Sequence, residues 1–238
     1  NDSAFAALRN DGTVVTWGES THGGNSSDVS NNLNNVNKIY ANAASFAALK
    51  DDGTVFVWGK EGSESQHFTK DGLRDPSNPV IKIFSNDKAF AALKEDGNVI
   101  TWGKSTHGGN GTDDASDLND TSNNPVIEIC TNEQAFAALK DDGTVVTWGQ
   151  QAYGGKGTDV SSLNTPLNQV IKIYSSQGAF AAIKQDGTVS TWGMNTHGGN
   201  SSDVSSNLND PSKPVNKIFA NDSAFAALRN DGTVVTWG

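Results

Sequence analysis

The phrase Ala4-Phe5-Ala6-Ala7-Leu8-Arg9-Asn10-Asp11-Gly12-Thr13-Val14-Val15-Thr16-Trp17-Gly18 returns five more times with small changes, ending at Gly59, Gly103, Gly149, Gly193 and Gly238. Its tryptophans, Trp17, Trp58, Trp102, Trp148, Trp192 and Trp237, lie 41, 44, 46, 44 and 45 residues apart. A period of that length belongs to propellers and stacked arrays, in which one repeat cannot bury its apolar face alone and neighbours share a core. Residues 1–18 recur unchanged as residues 221–238. The chain therefore opens and closes at one phase of its repeat, and the expectation is a window on a longer array.

Composition narrows the partners. The formal net charge is -10 and the pI is near 4.7. Binding to a phosphate backbone depends on clustered Lys and Arg that release counterions, so nucleic acid is not expected, and anionic membranes are disfavoured for the same reason. No stretch approaches the roughly 20 apolar residues of a membrane span, so no membrane insertion is expected. Cys130 is the one cysteine; it cannot form an intramolecular disulfide and reads as a small strand hydrophobe.

Each unit predicts three strands. The first, strand A, is Val-Asn-Lys-Ile-Tyr at 36–40 and its counterparts at 80–84, 126–130, 170–174 and 215–219. Alternation sets Val, the Lys or Glu, and the aromatic residue or Cys on one side, and the second and fourth residues on the other. Strand B follows as Ser45-Phe46-Ala47-Ala48-Leu49 and its equivalents, small and apolar on both faces, which implies sheets pressing close on each side. A hairpin signal comes next, Lys50-Asp51-Asp52-Gly53-Thr54 and its echoes, with Gly12, Gly53, Gly97, Gly143, Gly187 and Gly232 as structural glycines able to take the left-handed turn position. Strand C ends on the tryptophan, which is read as core in all six units because it buries a large apolar area. The polar linker after Trp-Gly holds a Val and Leu pair (Val29 and Leu33, Val160 and Leu163, Val204 and Leu208) and accommodates a short outer strand D or an irregular edge.

The phrase Ala-Leu-Lys-Asp-Asp-Gly-Thr-Val-Val-Thr-Trp-Gly at 138–149, with Met194-Asn195-Thr196-His197-Gly198-Gly199, resembles the repeat of the regulator of chromosome condensation family. In style the array is similar to tandem repeats of that type in large bacterial surface or secreted proteins. The resemblance covers all six hairpins and implies an all-β propeller in which each repeat supplies about one four-stranded blade. It departs from the family where Gly-Asn or Gly-Lys stands in place of Gln-Leu-Gly after the linker glycine. No active site is carried over. The expected architecture is one repeat domain over residues 1–238, with units near 1–35, 36–79, 80–125, 126–169, 170–214 and 215–238, the first and last incomplete. The alternative is an open array continued by neighbouring repeats or chains that complete the terminal blades.

Candidate site residues are few. His22, His107 and His197 precede a glycine pair at one repeat position, and Tyr153 stands there in the fourth linker. An imidazole and a phenol at one spot suggest packing over the glycines rather than metal ligation; ligand contact by His22, His107, Tyr153 and His197 is the functional alternative. Asp113, Asp114 and Asp117 offer hard oxygen ligands for calcium without the spacing of a calcium loop, and Asp in such segments more often caps turns. Asn25, Asn110 and Asn200 match glycosylation acceptor patterns that a chain rich in Asn, Ser and Thr meets by chance. No nucleophile elbow, phosphate loop or His-x-x-x-His spacing occurs, and no cofactor is expected.

The reading is a non-catalytic module of a larger extracellular or cell-surface protein, structural or adhesive, with a protein or glycan partner. An intracellular, cytoplasmic interaction scaffold of the chromosome-condensation-regulator type is the alternative. An enzyme sited around His67 in the divergent second linker is a remote third.

Overall fold

The phrase folds as an antiparallel hairpin each time it occurs. The computed structural model describes every residue except 61–71, 112–115, 120–123 and 157–159, and omits the side chains of residues 116 and 117. The described chain carries seventeen strands: β1 (Ala4–Leu8), β2 (Val14–Gly18), β3 (Val36–Ala41), β4 (Ser45–Lys50), β5 (Val55–Gly59), β6 (Val80–Ser85), β7 (Ala89–Lys94), β8 (Val99–Gly103), β9 (Val126–Thr131), β10 (Ala135–Lys140), β11 (Val145–Gly149), β12 (Val170–Ser175), β13 (Ala179–Lys184), β14 (Val189–Gly193), β15 (Val215–Ala220), β16 (Phe225–Arg229) and β17 (Val234–Trp237). They form five three-stranded sheets and one two-stranded sheet, β1-β2, each with strand B in the middle or at the open edge of its hairpin. The chain divides into two compact units, Asn1–Thr112 and Asp113–Gly238.

Register follows the repeat. Phenylalanine faces tryptophan across every hairpin, as Phe46 faces Trp58, and the rings stack at 5.2 Å in that pair and at 5.1 Å in Phe90–Trp102. Such pairs add roughly 0.5–1.5 kcal/mol beyond their buried area. The turn is closed by its aspartate as well as its glycine. Asp52 Oδ1 accepts the Thr54 amide at 3.0 Å and the Thr54 hydroxyl at 2.6 Å, and Asp186 holds Thr188 in the same way.

Strand A departs from simple alternation. In β6, Val80 pairs with Lys94 and Lys82 with Leu93, so Ile81 is an extra, bulged residue. The bulge shifts the parity by one: Val80 and Ile83 both face the core, at 3% and 2% exposure, while Ile81 is 55% exposed. The same shift recurs in β3, β9, β12 and β15.

Within the first unit, Ala47 and Leu49 of one sheet pack on Phe90, Ala92 and Trp102 of the next, and the opposite face of β4, through Phe46 and Ala48, packs on Ala4 and Ala6. In the second unit Ala137 and Leu139 meet Phe180 and Trp192, and Ala181 and Ile183 meet Phe225 and Trp237. The alanines of strand B are what allow this close approach; Ala47, Ala48, Ala91, Ala92, Ala137 and Ala138 have no exposed surface. Backbone bonds stitch consecutive sheets at both ends of strand A. Val80 N–H donates to Gly53 O and Ala43 N–H to Asp87 O in the first unit, as Val215 does to Gly187 and Gln177 to Asp222 in the second.

A fourth strand is not formed among the described residues, which corrects the four-stranded blade implied by the resemblance. The linkers instead make 3-10 turns such as Ser27–Asn32, and a helical turn at Ser205–Leu208. Asn, Ser and Asp side chains bond their own backbone here, as Asn25 Oδ1 does with Ser27 N–H, and that competes with ladder pairing. The linker leucines still fill the core: Leu33, Leu73, Leu118, Leu163 and Leu208 are all at most 4% exposed. Beside them, Asn164 stands in for a strand by accepting the Val145 N–H at 2.7 Å and donating to the Val145 carbonyl at 3.1 Å.

Candidate functional site

The linker after Trp-Gly gathers the candidate residues, and its geometry is set by the glycine pair. In the first linker Gly23 is left-handed, φ +92°, and a Cβ there would lie 2.8 Å from Phe46 and 3.1 Å from Trp58. The bare backbone thus lies flat on the aromatic stack of the following sheet, and its carbonyl accepts the Trp58 indole N–H at 3.0 Å. Gly198 does the same for Phe225 and Trp237, with a 3.0 Å bond from the indole. Gly154 lies against Phe180 and Trp192, where the Trp192 indole nitrogen is buried with no hydrogen-bond partner among the described residues.

His22, His107, Tyr153 and His197 each close the 3-10 turn just before that glycine. His107 is buried; the others are half-buried. Each imidazole Nδ1 sits beside the preceding threonine hydroxyl, 3.0 Å for Thr21 and His22, 2.9 Å for Thr106 and His107, and 3.0 Å for Thr196 and His197. The His197 ring also lies over Gly178, where a Cβ would be 3.0 Å from its Cγ. Burial, with Lys104 and Lys88 nearby, holds the His107 imidazole below its ordinary pKa. Each of these four residues belongs to a different linker.

A constellation absent from the sequence reading holds these turns. Asn86 Nδ2 donates to His107 O at 2.8 Å while its Oδ1 accepts the Ala89 amide at 2.9 Å. Asn1 serves His22 and Ala4, Asn132 serves Tyr153 and Ala135, and Ser176 serves His197 and Ala179. The signal lay in the sequence: an Asn or Ser stands three residues before the first residue of strand B in each of these units.

The tryptophans are not equivalent. Trp58, Trp102, Trp148, Trp192 and Trp237 are at most 8% exposed, but Trp17 is 50% exposed and its partner Phe5 is 61% exposed. That corrects the reading of Trp17 as core. Among the described residues, no linker of the Gly198 kind lies over the first hairpin.

Asp113, Asp114 and His67 lie outside the described residues, as does the side chain of Asp117. Asp210, from the same class of acidic linker residue, accepts the Ser212 amide at 3.0 Å and its hydroxyl at 2.6 Å, a turn cap. Among the described residues no three His, Cys, Asp or Glu side chains are grouped to hold a metal ion, and no helix is long and apolar enough to cross a membrane. Cys130 is half-buried against the second unit's core, and burial pushes its thiol pKa up.

No sequence family matches the chain, and no curated protein does. Solved structures do. Human WBSCR16 is similar over 99% of this chain and 73% of its own, with a TM-score of 0.56 at 18% identity. The ectodomain of the Physcomitrella patens receptor kinase CR4 matches 83% of this chain with a TM-score of 0.51 at 17% identity, and yeast RCC1 (Prp20), solved with Kap60, matches 88% with 0.51 at 17%. The fold is that of RCC1-like β-propeller blades. The chain spans 50% of the moss ectodomain and 57% of yeast RCC1.

Proposed function

We propose that the chain is a non-catalytic recognition module of a larger extracellular or cell-surface protein, docking a protein or glycan through its linker turns. The observation that carries this reading is a constant scaffold bearing variable turns. Strands B and C repeat almost unchanged, whereas the linkers differ in length and residues, the arrangement in which loops carry recognition. The moss neighbour is a receptor-kinase ectodomain, which supports the extracellular setting. His22, Tyr153 and His197, half-buried at the turn tips, are the proposed contact residues, with His107 the buried counterpart. A second reading, an intracellular protein-interaction scaffold, is favoured by the neighbour solved as yeast RCC1 bound to Kap60.

The test is a glycan array with calcium and again with chelator. Binding to a defined sugar that weakens on substitution of His22 or His197 by Ala supports the module reading. Loss with chelator adds calcium to it. Silence in both conditions removes the glycan and leaves a protein partner, to be sought with surface and secreted proteins against intracellular ones.

A further inference from the structure

Strand A carries four of the 17 Lys and Arg residues of this acidic chain at one repeated position. Lys38, Lys82, Lys172 and Lys217 hold its third position, and Glu128 holds that place in β9. Each is set by the same register, opposite the leucine or isoleucine of strand B: Lys38 to Leu49, Lys82 to Leu93, Glu128 to Leu139, Lys172 to Ile183 and Lys217 to Leu228. The ammonium groups are positioned as well. Lys38 lies 4.8 Å over the Tyr40 ring, and Lys82 and Lys217 lie 4.6 Å over Phe84 and Phe219, so less freedom is lost when a further group binds.

The second unit shows what this spacing accepts. Glu128 on β9 and Lys172 on β12 form an ion pair of 2.6 Å from one strand A to the next, while the Ser175 hydroxyl ties the same two strands by donating to Thr131 O. In the first unit β3 and β6 are tied identically, Ser85 to Ala41 O. There the equivalents of Glu128 and Lys172 are Lys38 and Lys82, two exposed cations, and neither third position carries a carboxylate.

We infer that the β3–β6 face of the first unit binds an acidic peptide, its carboxylates pairing with Lys38 and Lys82 as Glu128 pairs with Lys172. This rests on the interaction-module reading and narrows it to one partner chemistry at a place away from the linker turns. A carboxylate is favoured over sulfate or phosphate because it is the group that the strand A lysine Lys172 meets from the neighbouring strand in the second unit. The chain's net negative charge does not cancel the attraction at moderate salt, since charges more than about 10 Å away are largely screened at 0.1 M.

The experiment is an amide NMR titration of the full chain at 0.1 M salt with a penta-glutamate peptide, a sulfated oligosaccharide and inorganic phosphate. Expected are peptide-induced shifts centred on β3 and β6, and an approximately ten-fold loss of affinity in the Lys38→Gln, Lys82→Gln double variant, the size anticipated for two exposed charge pairs. The thermal midpoint of that variant should stay close to the parent, because the two cation–π contacts it removes lie at exposed sites. Glu128→Gln should release Lys172 beside Lys217 and add a second peptide-binding event in β12 and β15. Absence of peptide binding, equal affinity in the double variant, or binding of the sulfated oligosaccharide alone overturns the inference. None of these results touches recognition through the linker turns, which the array on His22 and His197 variants reads separately.

Discussion

Gly143 and Gly232 hold the same place in the same turn, φ +78° and +82°, but their surroundings differ. A Cβ at Gly143 would stand 2.5 Å from the Gln169 Cβ and 3.0 Å from Val170 O, at the stitch to the following strand A, whereas at Gly232 nothing lies within 4 Å. Gly232→Ala therefore meets only the left-handed backbone cost, about 1–2 kcal/mol. Gly143→Ala meets that and a displaced inter-sheet contact, and its total is expected at about 2–4 kcal/mol. Urea unfolding of the two variants measures both, and equal losses would show that a Cβ at Gly143 is accommodated without displacing Gln169 and Val170. At a second residue, Asn164→Ala removes the partner of both the Val145 amide and carbonyl. The expected loss is about 1–3 kcal/mol for buried backbone groups left unmatched, and amide exchange at Val145 should rise with it.

The two identical hairpins, β1-β2 and β16-β17, form a natural control at the scale of the element, because they share every residue and differ in their surroundings: β16 also pairs with β15 and its tryptophan is covered, whereas β1 pairs with β2 alone. Trp237 is 8% exposed and bonded to Gly198 O; Trp17 is 50% exposed. Trp237→Ala should cost about 3–5 kcal/mol, the range for a buried tryptophan, while Trp17→Ala should cost less than about 1.5 kcal/mol, because its ring is already half exposed and its stack on Phe5 at 5.4 Å adds little. Acrylamide quenching gives an independent readout. Trp17→Phe should remove most of the quenchable fluorescence, and Trp237→Phe little of it. If the two tryptophans quench alike, the first hairpin is covered in solution and the contrast in exposure fails. The same comparison explains why burial of the tryptophans was only partly legible in the sequence. Strand pairing is local and is written in each hairpin, but the cover over a tryptophan comes from a linker 35 residues earlier for Trp58 and 39 for Trp237.

Across the whole molecule, hairpins, turns and the two-faced alanine strands are legible because their chemistry is contained in a few neighbouring residues. The bulge at Ile81 is not legible, since Val-Ile-Lys-Ile-Phe carries no glycine to mark it and satisfies alternation as written. At the candidate site the histidine turns are visible, but the Asn86-type clamp and the glycine-on-aromatic contact join segments distant in sequence. What repeats most faithfully is the aspartate of the turn, and it gives the chain a common response to acid. The Thr54 hydroxyl and then its amide hold the Asp52 carboxyl below its ordinary pKa; at Asp186 burial opposes the shift, and the Thr188 hydroxyl and amide outweigh it; at Asp142 the Thr144 bonds do likewise. A carboxylate whose folded pKa is depressed contributes stability that is complete above its unfolded value, near 3.9, and lost as pH falls through the lower folded value. The thermal midpoint should therefore be flat from about pH 7 to 5 and fall steeply below about pH 4. A triple variant, Asp52→Asn, Asp142→Asn and Asp186→Asn, should melt lower than the parent at pH 7 and decline less steeply below pH 4, so that the two curves converge in acid. Parallel curves would show that these turn carboxylates do not govern the acid response, because the variant would have lost the same pH-dependent stability as the parent without possessing the groups that supply it.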